Sequence, residues 1–248
     1  MLSTASLMVG EAGAADAVER ARRLPDLHVG LHVVLVNGRP LLPPERVPDL
    51  VDERGVFLSD LGAAGRRFFF RPGARHQLEA EIRAQFEAFA ATGLELDHVN
   101  AQNHMHVHPT VLTMILRVGA AFGMRAVRIP YEPAFASWRG TKFDFGRRLR
   151  EKLSLAPWLT LMRLRLRAAG MITNDYVFGR NDTAEMTAAR ILGFLPVLPN
   201  GVGEIYSHPA MDNDEYLGLV DPSVKERLAQ LPIELTSFGA LSSGARVR

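Results

Sequence analysis

The sequence predicts an α/β fold built around a parallel sheet, either open or closed into a barrel. Short apolar segments of strand length alternate with helical patterns along most of the chain, and strands separated by helices pair in parallel. The near-continuous apolar run LHVGLHVVLV, residues 27–36, is typical of a strand buried on both faces of such a sheet. No internal repeat interrupts this alternation.

The first elements are predicted from composition. Residues 3–9, STASLMV, are apolar and β-branched, which favours a short strand. The Ala-rich segment 12–24 predicts a helix that ends near Pro25. After the strand at 27–36, residues 37–75 contain many turn formers and are interpreted as a long excursion.

The middle of the chain has the clearest periodicity. Residues 76–93 predict a helix that stops at Gly93, with one apolar face formed by Leu78, Ile82, Phe86 and Phe89. Residues 94–102 predict a strand, and residues 109–123 a helix with Pro109 in its first turn. In folds with a parallel sheet, active sites form at the carboxyl ends of the strands.

The second half is less regular. It predicts strands at 126–130, 201–209 and 233–239, and helices at 183–195 and 221–231. A basic amphipathic insertion occupies about 140–170 within what is expected to be a single domain spanning 1–248.

Composition excludes several classes of protein. The chain of 248 residues has a net charge of only +2, so no nucleic acid is expected as a partner. It contains no cysteine, which excludes disulfides and thiolate metal sites. No apolar run reaches the roughly 18 residues that would span a bilayer. We therefore expect a soluble, cytoplasmic protein.

A row of histidines is the most informative motif. In DHVNAQNHMHVHP, residues 97–109, His104, His106 and His108 recur at every second position. In an extended chain these side chains share one face, together with Asn100 and Gln102. Neutral imidazole is the commonest metal ligand in proteins, so the row predicts a metal or catalytic site at a strand end. The alternative is a polar strand edge whose imidazoles are satisfied by hydrogen bonds.

Two further histidines occupy equivalent positions. His32 lies in an otherwise apolar strand, where an unpaired imidazole costs about 1–3 kcal/mol. His208 follows the predicted strand at 201–209 and precedes Pro209. Three separate strands therefore bring histidine to one rim, which is a stronger indication of a site than any single motif.

The basic insertion allows two interpretations. In residues 146–170, basic side chains alternate with Leu, Trp and Met, and one apolar stripe contains Leu155, Leu159, Met162 and Leu166. This helix either packs on the barrel or lies on anionic lipid with its arginines at the headgroups.

Several segments together resemble a known family. "TASLMV", "VGLHVVL", "LDHVNAQNHMHVHP", "VRIPYEP" and "EIYSHPAMDN", in this order and spacing, resemble the YdjC/ChbG-like carbohydrate deacetylases, and most closely the hopanoid-biosynthesis-associated HpnK subgroup. The resemblance implies a deformed (β/α) barrel similar to polysaccharide deacetylases. It also implies a hydrolase for carbon–nitrogen bonds other than peptide bonds, which removes acetyl from an N-acetylated amino sugar, in the subgroup an N-acetylglucosaminyl hopanoid.

The resemblance assigns roles to individual residues. A divalent metal, Mg²⁺ or Zn²⁺, would be held by one aspartate and two histidines in the family. Here His32 matches the first histidine, and His208 matches the general acid. His104 or His106 would be a further ligand.

Neighbouring polar residues are expected to bind substrate. We assign this role to Asn100, Tyr131 and Glu132, with Trp158 on the insertion as a further contact. The expected partners are an amino-sugar or glycolipid substrate, the inner membrane as a peripheral contact through residues 146–170, and a second copy in a homodimer.

Two departures from the family pattern concern the metal site. The family's first strand and its paired aspartates precede the segment that matches residues 3–9, and here that segment begins directly after Met1. The usual second histidine ligand falls on Gln102, whose carbonyl oxygen binds zinc more weakly than imidazole. The chain is then either a shortened enzyme or a glycolipid- or carbohydrate-binding protein that retains the cleft without catalysis. In either case, residues 1–248 are expected to have little hydrolase activity.

Overall fold

A computed structural model describes residues 2–242 of the chain. Within this range it contains five strands, β1 (Thr4–Leu7), β2 (His28–Val33), β3 (Leu96–Ala101), β4 (Tyr176–Phe178) and β5 (Gly203–Ile205). The helices of the same range are α1 (Ala14–Arg22), α2 (Leu61–Phe70), α3 (Pro72–Ala91), α4 (Pro109–Gly119), α5 (Ala134–Thr141), α6 (Phe145–Ala168), α7 (Ala188–Phe194), α8 (Asp214–Val220), α9 (Pro222–Ala229) and α10 (Phe238–Ser242).

The strands follow one another in sequence order around a curved wall. β1, β2 and β3 pair in parallel in that order, and β4 pairs in parallel with β5. The segment between the two sheets continues the wall through parallel bridges from Val127 to Val99 and from Ala126 to Ile172. Parallel strands joined by outer helices in this order form the predicted α/β fold, a deformed (β/α) barrel.

The main core lies between the first sheet and helices α3 and α4. The apolar faces predicted for these helices are buried there, with Leu78 and Ile115 among the residues that have no exposed surface. Past the end of β2, the side chain of Gln85 on α3 takes the place of a neighbouring strand. It accepts a hydrogen bond from the Val34 N–H at 2.9 Å and donates to the Val34 carbonyl at 2.7 Å. The apolar run at 27–36 therefore ends as a strand at Val33 although it stays buried to residue 36.

Two predicted strands differ from the structure. Residues 126–130 contribute bridges but no complete strand, because the carbonyl and N–H of Ile129 bond the side chain of Asn174 instead. The strand predicted at 233–239 is wrong. Helix α10 begins within it, and the Gly239 N–H donates to the carboxylate of Asp97 at 2.7 Å.

The basic insertion is occupied by α6, a helix of 24 residues. Its inner face is fixed by Arg148, which is fully buried and paired with the carboxylates of Glu132 at 3.1 Å and Asp182 at 2.7 Å. No helix within residues 2–242 is both long enough and apolar enough to cross a membrane.

Candidate active site

Polar side chains from three neighbouring strands meet on one face of the first sheet. Ser6 on β1 lies opposite Gly30 on β2, and His32 on β2 lies opposite Asn100 on β3. Because Gly30 has no side chain, the ring of His98 on β3 extends over β2, and its Nε2 comes within 3.0 Å of the Ser6 hydroxyl. The middle strand therefore allows the polar groups of all three strands to join.

A bulge in β3 places the side chains of Asp97 and His98 next to each other. β2 pairs with Leu96 and then with Val99, so β3 holds one extra residue over this stretch. As a result, the neighbouring side chains of Asp97 and His98 contact each other, with 2.8 Å between the carboxylate and Nδ1. Burial opposes ionisation of Asp97, but the bonds from His98 and from a backbone N–H hold its pKa below the ordinary value.

The donors around Asn100 determine the orientation of its amide. Two nitrogens of Arg128 lie 2.8 and 3.1 Å from one terminal atom of this amide, which must be the oxygen because a guanidinium only donates. The Ser6 hydroxyl contacts the same atom at 2.8 Å. The other terminal atom is therefore the NH₂ group, and it donates to Nδ1 of His32 at 2.5 Å.

A carboxylate holds Arg128 in this position. Glu204 on β5 forms a two-point ion pair with the guanidinium, in which Nε lies 2.7 Å from one carboxylate oxygen. The same guanidinium lies over the ring of Tyr206, 5.1 Å from its centroid. The network thus crosses the barrel from β1 to β5.

His32 is uncharged at neutral pH. Burial lowers its pKa to about 4, and the charges of Arg128, His208 and His98 act in the same direction. Through Asn100 and Arg128, His32 is linked to Tyr206, whose ring centroid lies 5.5 Å from that of His208.

The histidine row does not remain extended. Residues 102–107 form two short helical turns separated by a kink at Asn103 and His104, whose φ angles are 50° and 56°. This kink breaks the alternation on which a common face for the three histidines depended. His104 turns towards Tyr206, with Nε2 3.2 Å from the hydroxyl, whereas His108 lies edge-on against Phe68.

His106 is held entirely by backbone groups. Its Nδ1 accepts a hydrogen bond from the Ala101 N–H at 3.1 Å, so Nε2 carries the proton and donates to the Arg128 carbonyl at 3.0 Å. With both nitrogens engaged, His106 has no lone pair for a metal in this arrangement. It instead joins the end of β3 to the strand segment that carries Arg128.

His208 lies at the rim beside this cluster. Its ring centroid is 5.5 Å from that of Tyr206, and its side chain is 59% exposed. The buried carboxylate of Glu215 accepts a hydrogen bond from the His208 N–H and lies 3.9 Å from the ring. Burial raises the pKa of Tyr206, so its hydroxyl remains protonated next to His104.

The donors fit a metal only in part. The side-chain oxygen of Gln102 is buried without a hydrogen-bond partner within residues 2–242, as an oxygen ligand awaiting a cation or water would be. Against this, no group of three or more His, Cys, Asp or Glu side chains in the described part of the chain lies close enough to hold a metal ion.

The predicted sugar contacts are distributed unevenly. Tyr131 is half-buried and its ring is covered by Arg163, whose guanidinium carbon lies 4.9 Å from the centroid. Glu132 is buried, and both its oxygens are occupied, by Arg148 and by the Asn181 N–H among others. Trp158, which is 47% exposed on α6, takes no part in the contacts that join the histidine cluster.

Sequence reasoning missed several members of the network. Arg128 and Glu204 are single opposite charges within two predicted strands, and this pattern alone could have indicated an ion pair across the barrel. Ser6 and His98 carried no such signal, because their contact depends on the absence of a side chain at Gly30.

Comparison with known proteins agrees with this architecture. The pattern of the family described as YdjC-like protein matches residues 1–237. A carbohydrate deacetylase of Vibrio cholerae is 34% identical over 152 residues, which are 60% of this chain and 58% of that protein. One from Brevibacillus brevis is 33% identical over 138 residues, 53% of this chain and 49% of that protein. The chain thus spans about half the length of these curated relatives.

More distant matches cover more of the chain. A carbohydrate deacetylase of Thermoanaerobacter pseudethanolicus is 24% identical over 219 residues, 88% of this chain and 74% of that protein. The crystal structure of a putative cellobiose-phosphate cleavage protein from Enterococcus faecalis superposes with a TM-score of 0.70 at 21% identity, and covers 96% of this chain and 87% of that one. The extent of the family match settles the assignment: the chain belongs to the YdjC-like protein family.

Proposed function

We propose that this chain is a carbohydrate deacetylase, a hydrolase that removes acetyl from an N-acetylated amino sugar by breaking a carbon–nitrogen bond other than a peptide bond. One observation carries the proposal. His104 contacts the Tyr206 hydroxyl, and the Tyr206 ring neighbours that of His208. Arg128, which lies over Tyr206, is linked through Asn100 to the uncharged His32, in a barrel whose family includes named carbohydrate deacetylases.

The residues at this rim suit amide hydrolysis. We assign His208 as the general acid that gives a proton to the leaving amine, because its exposed ring can reach a bound sugar. Glu215 fixes the backbone of His208 and acts as a positioning residue. The Tyr206 hydroxyl is placed to bind a sugar or acetamide oxygen, while Tyr131 is a more peripheral contact. Asn100 is buried and bonded to His32 and Arg128, so it would act on the sugar through these neighbours.

A divalent metal is the proposed cofactor, either Mg²⁺ or Zn²⁺. Gln102 would provide an oxygen and His104 a nitrogen once its present hydrogen bond is released, whereas His32 would first have to lose the hydrogen bond that Asn100 donates to Nδ1. When bound, such an ion polarises the acetyl carbonyl and lowers the pKa of water.

We also propose a substrate and a cellular location. An N-acetylglucosaminyl hopanoid, as in the subgroup that the sequence most resembles, would place the protein in the cytoplasm with peripheral contact to the inner membrane through residues 146–170. A homodimer is also compatible with this arrangement.

A second candidate function is carbohydrate or glycolipid binding without catalysis. It is favoured by the lack of a three-ligand metal cluster within residues 2–242. The cleft would then retain its hydrogen-bonding groups for the sugar and perform no hydrolysis.

Acetate release separates the two functions. The chain is incubated with a disaccharide of N-acetylglucosamine and either metal, and acetate is measured alongside calorimetric binding. For a deacetylase, His208→Asn should lower the rate about 100-fold or more. His76→Asn, at an exposed position of α3, serves as the control and should leave the rate unchanged. Binding without acetate favours the second function, and the absence of both contradicts the two together.

A further inference from the structure

The Asn100 amide lies between a group that only donates and a ring that can either donate or accept. Its oxygen faces Arg128 and its NH₂ group faces Nδ1 of His32. We infer that Asn100 is a positioning residue that fixes the proton of His32 on Nε2, so that this ring is a hydrogen-bond donor to an acceptor oxygen and binds divalent metal only weakly. This inference concerns the same cleft as the proposed function and does not depend on hydrolysis.

The tautomer of His32 follows from the direction of that bond. A neutral imidazole has one N–H and one lone pair. Because Nδ1 accepts from the Asn100 NH₂ group, the proton of His32 must reside on Nε2. A metal ligand needs the opposite arrangement, in which Nδ1 donates to a neighbour and Nε2 keeps its lone pair.

Turning the Asn100 amide over would be costly. The NH₂ group would then face two N–H groups of Arg128, at 2.8 and 3.1 Å, and these buried donors would lose their acceptor. Arg128 cannot easily withdraw, since Glu204 holds it at two points and only a small fraction of its surface is exposed. The ion pair on β5 therefore determines the tautomer on β2.

The other predicted metal ligands do not make up for the loss of the His32 lone pair at Nε2. His106 has both nitrogens bonded to backbone, and His104 shares its Nε2 with the Tyr206 hydroxyl. Among these predicted ligands, only Gln102 has a side-chain oxygen without a hydrogen-bond partner in the described part of the chain, and one amide oxygen binds zinc weakly. By contrast, an N–H at His32 is suited to a carbonyl or hydroxyl oxygen.

The direct test is the tautomer of His32 in the metal-free wild-type protein. Two-bond ¹H–¹⁵N correlation spectra of histidine-labelled protein, assigned with a His32→Gln variant, distinguish a protonated Nε2 from a protonated Nδ1. We expect Nε2 to carry the proton. A protonated Nδ1 would overturn the inference, and this result requires no other variant to fold.

Zinc affinity provides the second readout. In Asn100→Asp the carboxylate can accept from Arg128 and from His32 Nδ1–H at once, which moves the proton to Nδ1 and frees the Nε2 lone pair. Zinc binding, measured by competition with a chromophoric chelator, should tighten by at least about tenfold. Asn103→Asp adds the same charge at an exposed position of the same segment, and should change the affinity by less than about threefold.

The outcomes separate this inference from the proposed function. Equal zinc affinity of wild type and Asn100→Asp, or an equal gain in Asn103→Asp, would overturn it. Absence of acetate release by any variant would count against the deacetylase and leave the tautomer result standing.

Discussion

At the scale of single residues, the polar network on the first sheet depends on Gly30, which has no side chain. A Cβ at Gly30 would lie 2.5 Å from both Cε1 and the carbonyl oxygen of His98, so the ring could not stay where it meets Ser6. The chemistry of the face is thus set by a residue that contributes no functional group.

Gly30→Ala should therefore lower the free energy of unfolding by about 1–3 kcal/mol through overpacking. Urea unfolding followed by circular dichroism measures the change. The matched control is Gly13→Ala, where an added Cβ meets no atom within 4 Å and no loss is expected. Equal stability of the two variants would show that His98 does not occupy the space above Gly30.

The burial of His106 predicts how the free energy of unfolding depends on pH. Burial lowers its folded-state pKa to about 3, against an ordinary value near 6.5, so the unfolded chain takes up the proton first. Stability should be highest above about pH 6.5 and should fall as the pH drops towards 3, by up to about 1.4 kcal/mol per pH unit for each such histidine.

This dependence is tested by the urea concentration at the midpoint of unfolding, measured at several pH values between 7.5 and 4.5. His106→Asn cannot take up a proton in this range, so it should be less stable at neutral pH but show a shallower fall. His76→Asn, at an exposed position, should keep the wild-type profile. A profile that is equally steep in the His106 variant would contradict the assignment.

Candidate site residues were easier to predict from the sequence than the directions in which their side chains point. His32 and His208 could be selected from the sequence because both lie at strand ends, and their shared role in one site stays a prediction. The directions of His104 and His106 were not predictable, since two residues of the intervening turn take left-handed backbone angles that no local pattern announces.

At the scale of elements, α6 is apolar on both sides. The stripe predicted from the sequence faces inward, where Leu159, Met162 and Leu166 are buried. A second set of apolar residues on the same helix remains exposed, namely Leu149, Leu153, Trp158, Leu161 and Leu164. Basic residues flank this outer set, so two such faces would repel each other, whereas an anionic lipid surface complements them.

Vesicle binding tests the proposed membrane contact on this outer face. Wild type should bind vesicles of phosphatidylcholine with phosphatidylglycerol more tightly than vesicles of phosphatidylcholine alone. The double variant Leu161→Ser with Leu164→Ser should bind the mixed vesicles at least about tenfold more weakly than wild type does. Leu24→Ser, at a residue 52% exposed just after α1, is the control and should bind as wild type does.

Substitution of the buried Leu159 would test folding instead of lipid contact, because that side chain is only 5% exposed. Unchanged vesicle binding by the outer-face variant would exclude the membrane contact. A change of oligomeric state in that variant without any vesicle binding would point to the homodimer.

Elements with strong periodicity were predicted well and irregular ones were not. Helix α4 begins at Pro109 as predicted, because a proline in the first turn is a local signal. Helix α3 was found from its apolar face, but it begins at Pro72, four residues before the predicted start. The predicted strand at 233–239 failed because tertiary contacts decide that segment: Phe238 stacks on His98, 5.0 Å between ring centroids, and the Gly239 N–H bonds Asp97.

At the scale of the whole molecule, the sequence could predict the parallel barrel but not the contacts that join its two halves. The alternation of strands and helices determines the order of the wall. Tyr131 packs against both apolar cores, and buried Arg148 pairs with Glu132 and Asp182, which follow different strands. Contacts between residues so far apart in the chain leave no local pattern.

We propose that the rim near His32, His104 and His208 receives the N-acetylated sugar. Histidine side-chain NMR spectra during titration with an N-acetylglucosamine disaccharide test it without requiring turnover. We predict that the signals of these three residues shift together while exposed His28 and His76 stay unchanged. If saturating sugar leaves the three rim signals in place, or shifts only the signals of the exposed histidines, the sugar does not bind at this rim.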